Sequence, residues 1–334
     1  MIFTFFQLGR ERDRSGRSSC CQKIPPMPSE SVDAPHQAFP RPASQSRAKR
    51  TQPRKERPRG GLQHGTIAVL FPDHRPQAMQ TALSVRLIRG ATAALTPVGL
   101  SLLPALLDAD GGLPTCIASR QVDGVIVRGC ADMTPLASRL ERMPCVWLLE
   151  VDETPPQGDQ VFEDSAGLGS SAARYLLEQG RRRLAVVIED LNVPCYRPRC
   201  GAFAAAAERL GATVEIFGGL SPQEAVERIL APRRRPDGLF LPGSESEMSA
   251  IYRELLARGT QPGKDIGWIS CSYDLPCIAA LDPALANIDI RAEEIARAAV
   301  EMLLWRLQHP TEPQRRLMIA PRLVEGTLPG QLVR

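Results

Sequence analysis

No stretch of the chain approaches the roughly 18 consecutive apolar residues that a membrane-spanning helix needs, and the apolar residues 1–6 have no basic region before them, so no secretory signal is expected. Histidine is scarce. His36, His64, His74 and His309 lie far apart, and no C-x-x-C or H-x-x-x-H pair exists, so neither a metal site nor a cofactor is expected. Catalytic pairings are missing as well: no Ser-His-Asp, Cys-His or paired-carboxylate arrangement stands out, and GCADM around Cys130 has no histidine nearby. The chain therefore reads as a non-enzyme. Nine cysteines, odd in number and unevenly spaced in mostly apolar surroundings, fit reduced thiols in a cytoplasm better than a disulfide framework.

What is present divides sharply in two. The 334 residues carry a formal charge of +4, but residues 1–60 hold 13 basic and five acidic side chains with eight prolines, so this part alone is +8. The remaining 28 basic and 32 acidic groups make −4, ordinary for a soluble domain. Residues 1–65 have almost no apolar periodicity and are rich in Ser, Pro, Gln and Arg; such a segment buries too little apolar surface to offset its ordering entropy and is expected to be a disordered basic tail.

After Gly65 the texture changes to short Val/Ile/Leu runs separated by amphipathic stretches of helical length, the signature of alternating strands and helices. Strands are expected at 66–71, 100–106, 123–127, 144–150, 160–163, 183–189, 213–217, 237–242 and 265–271. Most are near-continuous apolar runs, as parallel strands covered on both faces require. Helices are expected at 79–95, 114–119, 135–141, 166–179, 201–210, 222–230, 245–257 and 292–307, with a last strand-like stretch at 316–325. Nine parallel-type strands exceed what one sheet of this length usually holds, and the loop DETPPQGD at 152–159 falls near the middle. The expected fold is therefore α/β, with two doubly wound halves.

Gly167-Leu168-Gly169-Ser170-Ser171-Ala172 spells GxGxxA at the opening of a helix, with Glu189 and Asp190 about 20 residues on, a dinucleotide fingerprint on paper. Glu163 and Asp164 stand where a pyrophosphate must approach, however, and like charge there opposes binding. Asp164 reads more simply as the cap of that helix.

Longer stretches taken in order carry a resemblance. Thr66–Phe71 leads to Arg89-Gly90-Ala91, then Val122-Asp123-Gly124-Val125-Ile126-Val127, Pro144-Cys145-Val146-Trp147 and Val161-Phe162-Glu163-Asp164 before GLGSSAARYLLEQGRRRLAVV. Arg199-Cys200-Gly201-Ala202-Phe203, Gly211, Arg235-Pro236-Asp237-Gly238-Leu239-Phe240, Asp265-Ile266, Leu281-Asp282-Pro283 and IAPRLVEGT follow. The chain from 66 to 328 resembles the ligand-sensing part of LacI/GalR-type transcription regulators, which is periplasmic-binding-protein-like (type 1). The resemblance implies two Rossmann-like subdomains joined by three crossovers. The first is expected at about 66–158 plus 291–309, the second at about 159–290 plus 310–328. It also implies a cleft for a sugar-like effector between the carboxyl ends of the strands, and a homodimer regulating transcription. A stand-alone carbohydrate-binding protein without DNA work is the alternative.

The candidate effector residues are Arg199, Arg128, Tyr196, Ser244, Glu245, Ser272, Tyr273 and Asp274. The resemblance places Arg199 where the family keeps an arginine, four residues before an aromatic; a planar guanidinium suits vicinal hydroxyls or a carboxylate, and a solvated arginine is the alternative. Ser244 and Glu245 stand where relatives have Asn-Asp, and Ser272 where an aspartate is common, with Asp274 as a substitute carboxylate. Arg128, Tyr196 and Tyr273 lie just beyond strands, where cleft walls form. Trp147 and Trp268 lie within strands and read as core.

A regulator of this type carries an N-terminal helix-turn-helix, but the proline-rich residues 1–60 contain no pair of helical apolar patterns. Three explanations stand: a lost or diverged reader, a gene start assigned at the wrong place, or a basic linker that once followed another reader. Arg47, Lys49, Arg50, Arg54, Lys55 and Arg57 are the candidates for DNA phosphate contacts, and a solvated linker is the alternative.

Overall fold

The computed structural model describes residues 62–129, 134–149, 158–190, 193, 195–231, 233, 235–243, 245–274, 278, 281 and 285–326. The phosphate-contact candidates Arg47, Lys49, Arg50, Arg54, Lys55 and Arg57, and also Ser244, lie outside them.

Among the described residues, twelve strands form two six-stranded sheets. The first runs β11-β5-β4-β3-β1-β2, all parallel, from β1 (Thr66–Phe71), β2 (Ser101–Leu106), β3 (Gly124–Arg128), β4 (Cys145–Leu148), β5 (Asp159–Glu163) and β11 (Arg316–Ile319). The second runs β12-β10-β9-β8-β6-β7, from β6 (Arg183–Ile188), β7 (Thr213–Gly218), β8 (Gly238–Leu241), β9 (Gly267–Ser270), β10 (Ala286–Asp289) and β12 (Arg322–Val324). Only β12 is antiparallel to its neighbour.

Two boundaries differ from the sequence reading. Residues 159–163, expected in the second half, pair in parallel with β4 as β5, so the chain leaves the first sheet at Asp164. The expected stretch 316–325 is two strands in different sheets: β11 pairs with β5 and β12 with β10. Pro321, which has no N–H to donate, stands between them. Short strands of mixed composition do not disclose which sheet receives them.

Helices cover both faces of each sheet. α1 (Ala82–Leu95) and α8 (Ala292–Gln308) pack on one face of the first sheet through Leu87, Leu95, Ile295 and Leu303, while α2 (Thr115–Ala118) and α3 (Thr134–Leu140) cover the other through Ile117, Leu136 and Leu140. α4 (Ser165–Glu178) and α5 (Tyr196–Arg209) cover the inner face of the second sheet, and α6 (Pro222–Ile229) and α7 (Glu245–Ala257) the outer. The α1/α8 and α4/α5 layers belong to one continuous apolar cluster, so both halves share a core. Trp147 and Trp268 are buried in it or in its satellites, as their strand positions suggested.

Local signals explain the starts. Asp164 caps α4, its Oδ1 accepting from the Gly167 N–H at 2.7 Å, and Ser221 and Glu224 form a reciprocal capping box on α6. The glycines of GxGxxA have packing work: a Cβ on Gly167 would strike the capping carboxylate of Asp164, and one on Gly169 would strike the Arg199 carbonyl oxygen, where α4 and α5 touch. The two halves also repeat one device. Asp123 before β3 accepts from the N–H groups of Gln63, His64, Gly65 and Thr66 at 2.6–3.1 Å, and Asp237 before β8 accepts from those of Arg182 and Arg183 at 2.9 Å. Each aspartate ties the start of the neighbouring strand.

Candidate functional site: the carboxyl ends of the two sheets

Strands of both sheets end towards the crossovers, and there Arg199 is the central residue. It is fully buried, which removes the solvated reading. Its Nη2 donates to Glu163 Oε1 at 2.8 Å, its Nη1 to the Pro242 carbonyl at 3.0 Å and to the Tyr273 hydroxyl at 3.4 Å, and its Nε to Ser165 Oγ at 3.4 Å. The guanidinium lies 5.6 Å from the centre of the Tyr196 ring. One side chain on α5 thus holds the end of β5, the start of α4, the loop after β8 and the segment after β9.

Four candidates gather around it. Tyr196 and Tyr273 are partly buried, and that burial raises both phenols, keeping them neutral and able to donate. Glu245, the first residue of α7, accepts from the Tyr273 N–H at 3.1 Å. Ser272 is buried, its N–H and carbonyl both taken by the Asn287 amide at 2.7 and 3.0 Å, and its Oγ accepts from the Asp274 N–H at 3.2 Å. The serine therefore shapes the turn that carries Tyr273 and Asp274. Arg128, at the end of β3, has no hydrogen-bond or ion-pair partner among the described residues; its buried Nε is unsatisfied.

Sequence reasoning missed three participants. Glu163, 2% exposed, is the counter-ion of Arg199. Glu247, 8% exposed on α7, lies against Gly243, and burial first, with Glu189 second, pushes its carboxyl up to about 7. Arg86 of α1 donates to Asp289 Oδ1, at the end of β10, at 2.8 Å and to Glu293 of α8 at 2.6–2.9 Å. Arg86 and Asp289 are 203 residues apart, so no local pattern announces the pair. The only advance signal for Glu163 was its place at a strand end.

The crossovers are tied to one another. The Asp164 N–H donates to the Ile319 carbonyl at 3.0 Å, Arg291 Nη1 to the Ala320 carbonyl at 3.2 Å, and Arg322 Nη2 to Asp289 Oδ2 at 3.1 Å. Arg291 itself sits in the left-handed region (φ 63°), a conformation that costs a side-chain-bearing residue about 1 kcal/mol or more. Leu149, just after β4, does the same (φ 69°). Strain of this kind gathers at hinges and clefts. The described concavities of about 480 Å³ beside Asp159 and Arg306, and about 440 Å³ beside Arg183 and Thr213, lie at the opposite, amino-terminal edges of the sheets. No helix among the described residues is long and apolar enough to cross a membrane.

Known proteins share this fold. A family model described as "Periplasmic binding protein-like domain" matches residues 173–327. The ribose operon repressor of Escherichia coli K12 is 27% identical over 256 residues, 72% of this chain and 76% of the repressor. Among solved structures, a transcriptional regulator CelR–cellobiose complex superposes with a TM-score of 0.67 at 20% identity, covering 80% of this chain and 85% of that one. A LacI family regulator from Enterococcus faecium with bound ribose gives 0.64 at 20% identity, covering 80% and 100%. Residues 173–327 of this chain are therefore similar to a periplasmic binding protein-like domain, and the described body shares the fold of these solved regulators.

Proposed function

We propose that the chain is a ligand-responsive transcriptional regulator in which a sugar-like effector enters between the carboxyl ends of the two sheets and biases an open–closed equilibrium about the three crossovers. The observation that carries this is a fully buried arginine, Arg199, which links the end of one sheet to two loops of the other. A ligand touching Tyr196, Tyr273, Glu245 or Asp274 from the second half and Arg128 from the first would favour closure by as much as it binds the closed form better. Arg199 orients Tyr273 and the Pro242 loop for that contact, and Ser272 holds the turn.

The DNA side of the proposal rests on the basic tail, through Arg47, Lys49, Arg50, Arg54, Lys55 and Arg57 as phosphate contacts. It rests also on the similarity to relatives such as the ribose operon repressor. A homodimer would pass the effector signal to DNA, and the setting would be cytoplasmic. The test is paired. Thermal unfolding of the full chain against a sugar panel is expected to show a rise in Tm with at least one member, and duplex binding is expected to weaken steeply with salt. No Tm shift with any sugar removes the effector reading; no binding to any duplex at low salt leaves a sensor only.

A further inference from the structure

Five buried side-chain atoms among the described residues lack a hydrogen-bond partner: Arg86 Nη1, Arg128 Nε, Glu163 Oε2, Arg181 Nε and Trp268 Nε1. Such atoms cost about 1–3 kcal/mol each when left unmade, so each calls for an explanation. Trp268 lies in the apolar core and Arg181 packs beside Gly267 at the amino-terminal edge of the second sheet. Arg86 is held in the hinge by its other two nitrogens. Arg128 and Glu163 remain, and both stand at the carboxyl end of the first sheet.

Their register puts them on one face. Arg128 pairs with Leu148, and Leu148 with Val161, in parallel strands, so these three side chains point the same way; Glu163, two residues beyond Val161, shares that direction. An unsatisfied guanidinium nitrogen and an unsatisfied carboxylate oxygen thus lie two strands apart at the carboxyl end of the first sheet, on the face that α1 and α8 cover. They ask for opposite things. Arg128 needs an acceptor, best a planar or tetrahedral anion that its fork can grip bidentately. Glu163 Oε2 needs a donor, and its other oxygen is already held by Arg199 and Ser165.

We propose that the effector is an anionic sugar, a polyhydroxylated molecule carrying a carboxylate or a phosphate, whose acidic group is bound by Arg128 and one of whose hydroxyls donates to Glu163 Oε2. This deepens the effector reading and rests on it. A neutral sugar satisfies Glu163 but leaves Arg128 with an uncharged partner at best. An inorganic anion satisfies Arg128 and leaves Glu163 orphaned, so the two atoms together specify a bifunctional ligand.

The test is thermal unfolding of the full chain with D-gluconate, D-glucuronate and D-ribose 5-phosphate against D-glucose, D-ribose and inorganic phosphate. An acidic sugar is expected to raise Tm by about 5 °C at a hundredfold excess over Kd, with its neutral counterpart and phosphate binding at least tenfold more weakly. Response to the carboxylates alone or to the phosphate alone identifies which acid is used. Arg128→Met is expected to abolish the tenfold preference, and Arg128→Lys, which keeps the charge but not the fork and guards against a folding defect in the first variant, to retain part of it. Equal binding of neutral and acidic sugars, unchanged in Arg128→Met, overturns this inference and leaves the effector reading standing. No response to any sugar, acidic or neutral, overturns both.

Discussion

At the scale of single residues, Arg199 shows how a ligand-like residue type also serves the architecture. With both members buried, the Arg199–Glu163 pair is stable only as a pair, because removing one partner strands a charge where solvent cannot reach it. Arg199→Met is therefore expected to lose roughly 3–5 kcal/mol in urea unfolding, and a Glu163→Leu/Arg199→Met double variant to recover part of that loss. A loss below about 1 kcal/mol would mean that the pair is far more solvated than its burial indicates. Arg199 was legible as a candidate through the resemblance, which keeps an arginine four residues before an aromatic, here Phe203. Its partner was not, because an ion pair closing over 36 residues leaves no periodicity. Glu247 offers a second residue-scale test. Burial raises its carboxyl to about 7, above the ordinary value of 4.5, so the folded state holds a proton that the unfolded chain has released. The stability tied to that proton is complete below about pH 4.5 and is lost as pH rises through about 7. Glu247→Gln is expected to flatten the stability profile between those limits, leaving the variant more stable than the parent at pH 8 by on the order of 1–2 kcal/mol. An unchanged pH profile would show that Glu247 ionises normally.

Elements were the most legible level. Nine of the twelve strands, β1 to β9, overlap the expected apolar runs at 66–71, 100–106, 123–127, 144–150, 160–163, 183–189, 213–217, 237–242 and 265–271, and β11 and β12 fall within 316–325. β10 escaped because Ala-Asn-Ile-Asp carries two polar side chains, buried here only because Asn287 bonds the Ser270–Ser272 segment and Asp289 meets Arg86. Helix packing gives an element-scale prediction. Gly90 and Gly169 lie where a Cβ would meet the carbonyl oxygens of Glu293 and Arg199, whereas Gly201, also helical and exposed, faces open space. Gly201→Ala is expected to stabilise by about 0.5–1 kcal/mol through helix propensity. The same change at Gly90 or Gly169 forces α1 from α8 or α4 from α5 and is expected to destabilise by about 1–3 kcal/mol. Chemical denaturation of the three variants side by side would detect this, and a stabilising Gly169→Ala would show that the α4–α5 contact is looser than the close approach indicates.

At the scale of the whole molecule, the sequence disclosed that there were two halves but not where they exchange strands, since β5 and β11 could be assigned to a sheet only from their pairing. The exchange matters for cooperativity. Two domains joined by a tether unfold separately, whereas here one apolar cluster runs from Ile67 and Phe71 through Leu168 and Phe203 to Ile288 and Leu303, crossing both sheets. Three mutually bonded crossovers and the Arg86–Asp289–Glu293 contacts bind the same boundary. Unfolding either half would expose the inner layer of the other, so a half-folded state gains chain entropy but loses apolar burial worth about 25 cal/mol for each Å². The body is therefore expected to unfold in one transition. Trp147 reports on the first half and Trp268 on the second, so single-tryptophan variants keeping one or the other, with the remaining two tryptophans replaced by phenylalanine, are expected to give superimposable urea curves, matching far-ultraviolet circular dichroism. Asp289→Asn weakens the contacts to both Arg86 and Arg322 and is expected to shift both midpoints down together. Separation of the two curves in the parent protein would show that the halves are energetically independent. The shared core would then contribute little to coupling, and effector closure would be the motion of two nearly autonomous domains instead of a shift within one cooperative unit.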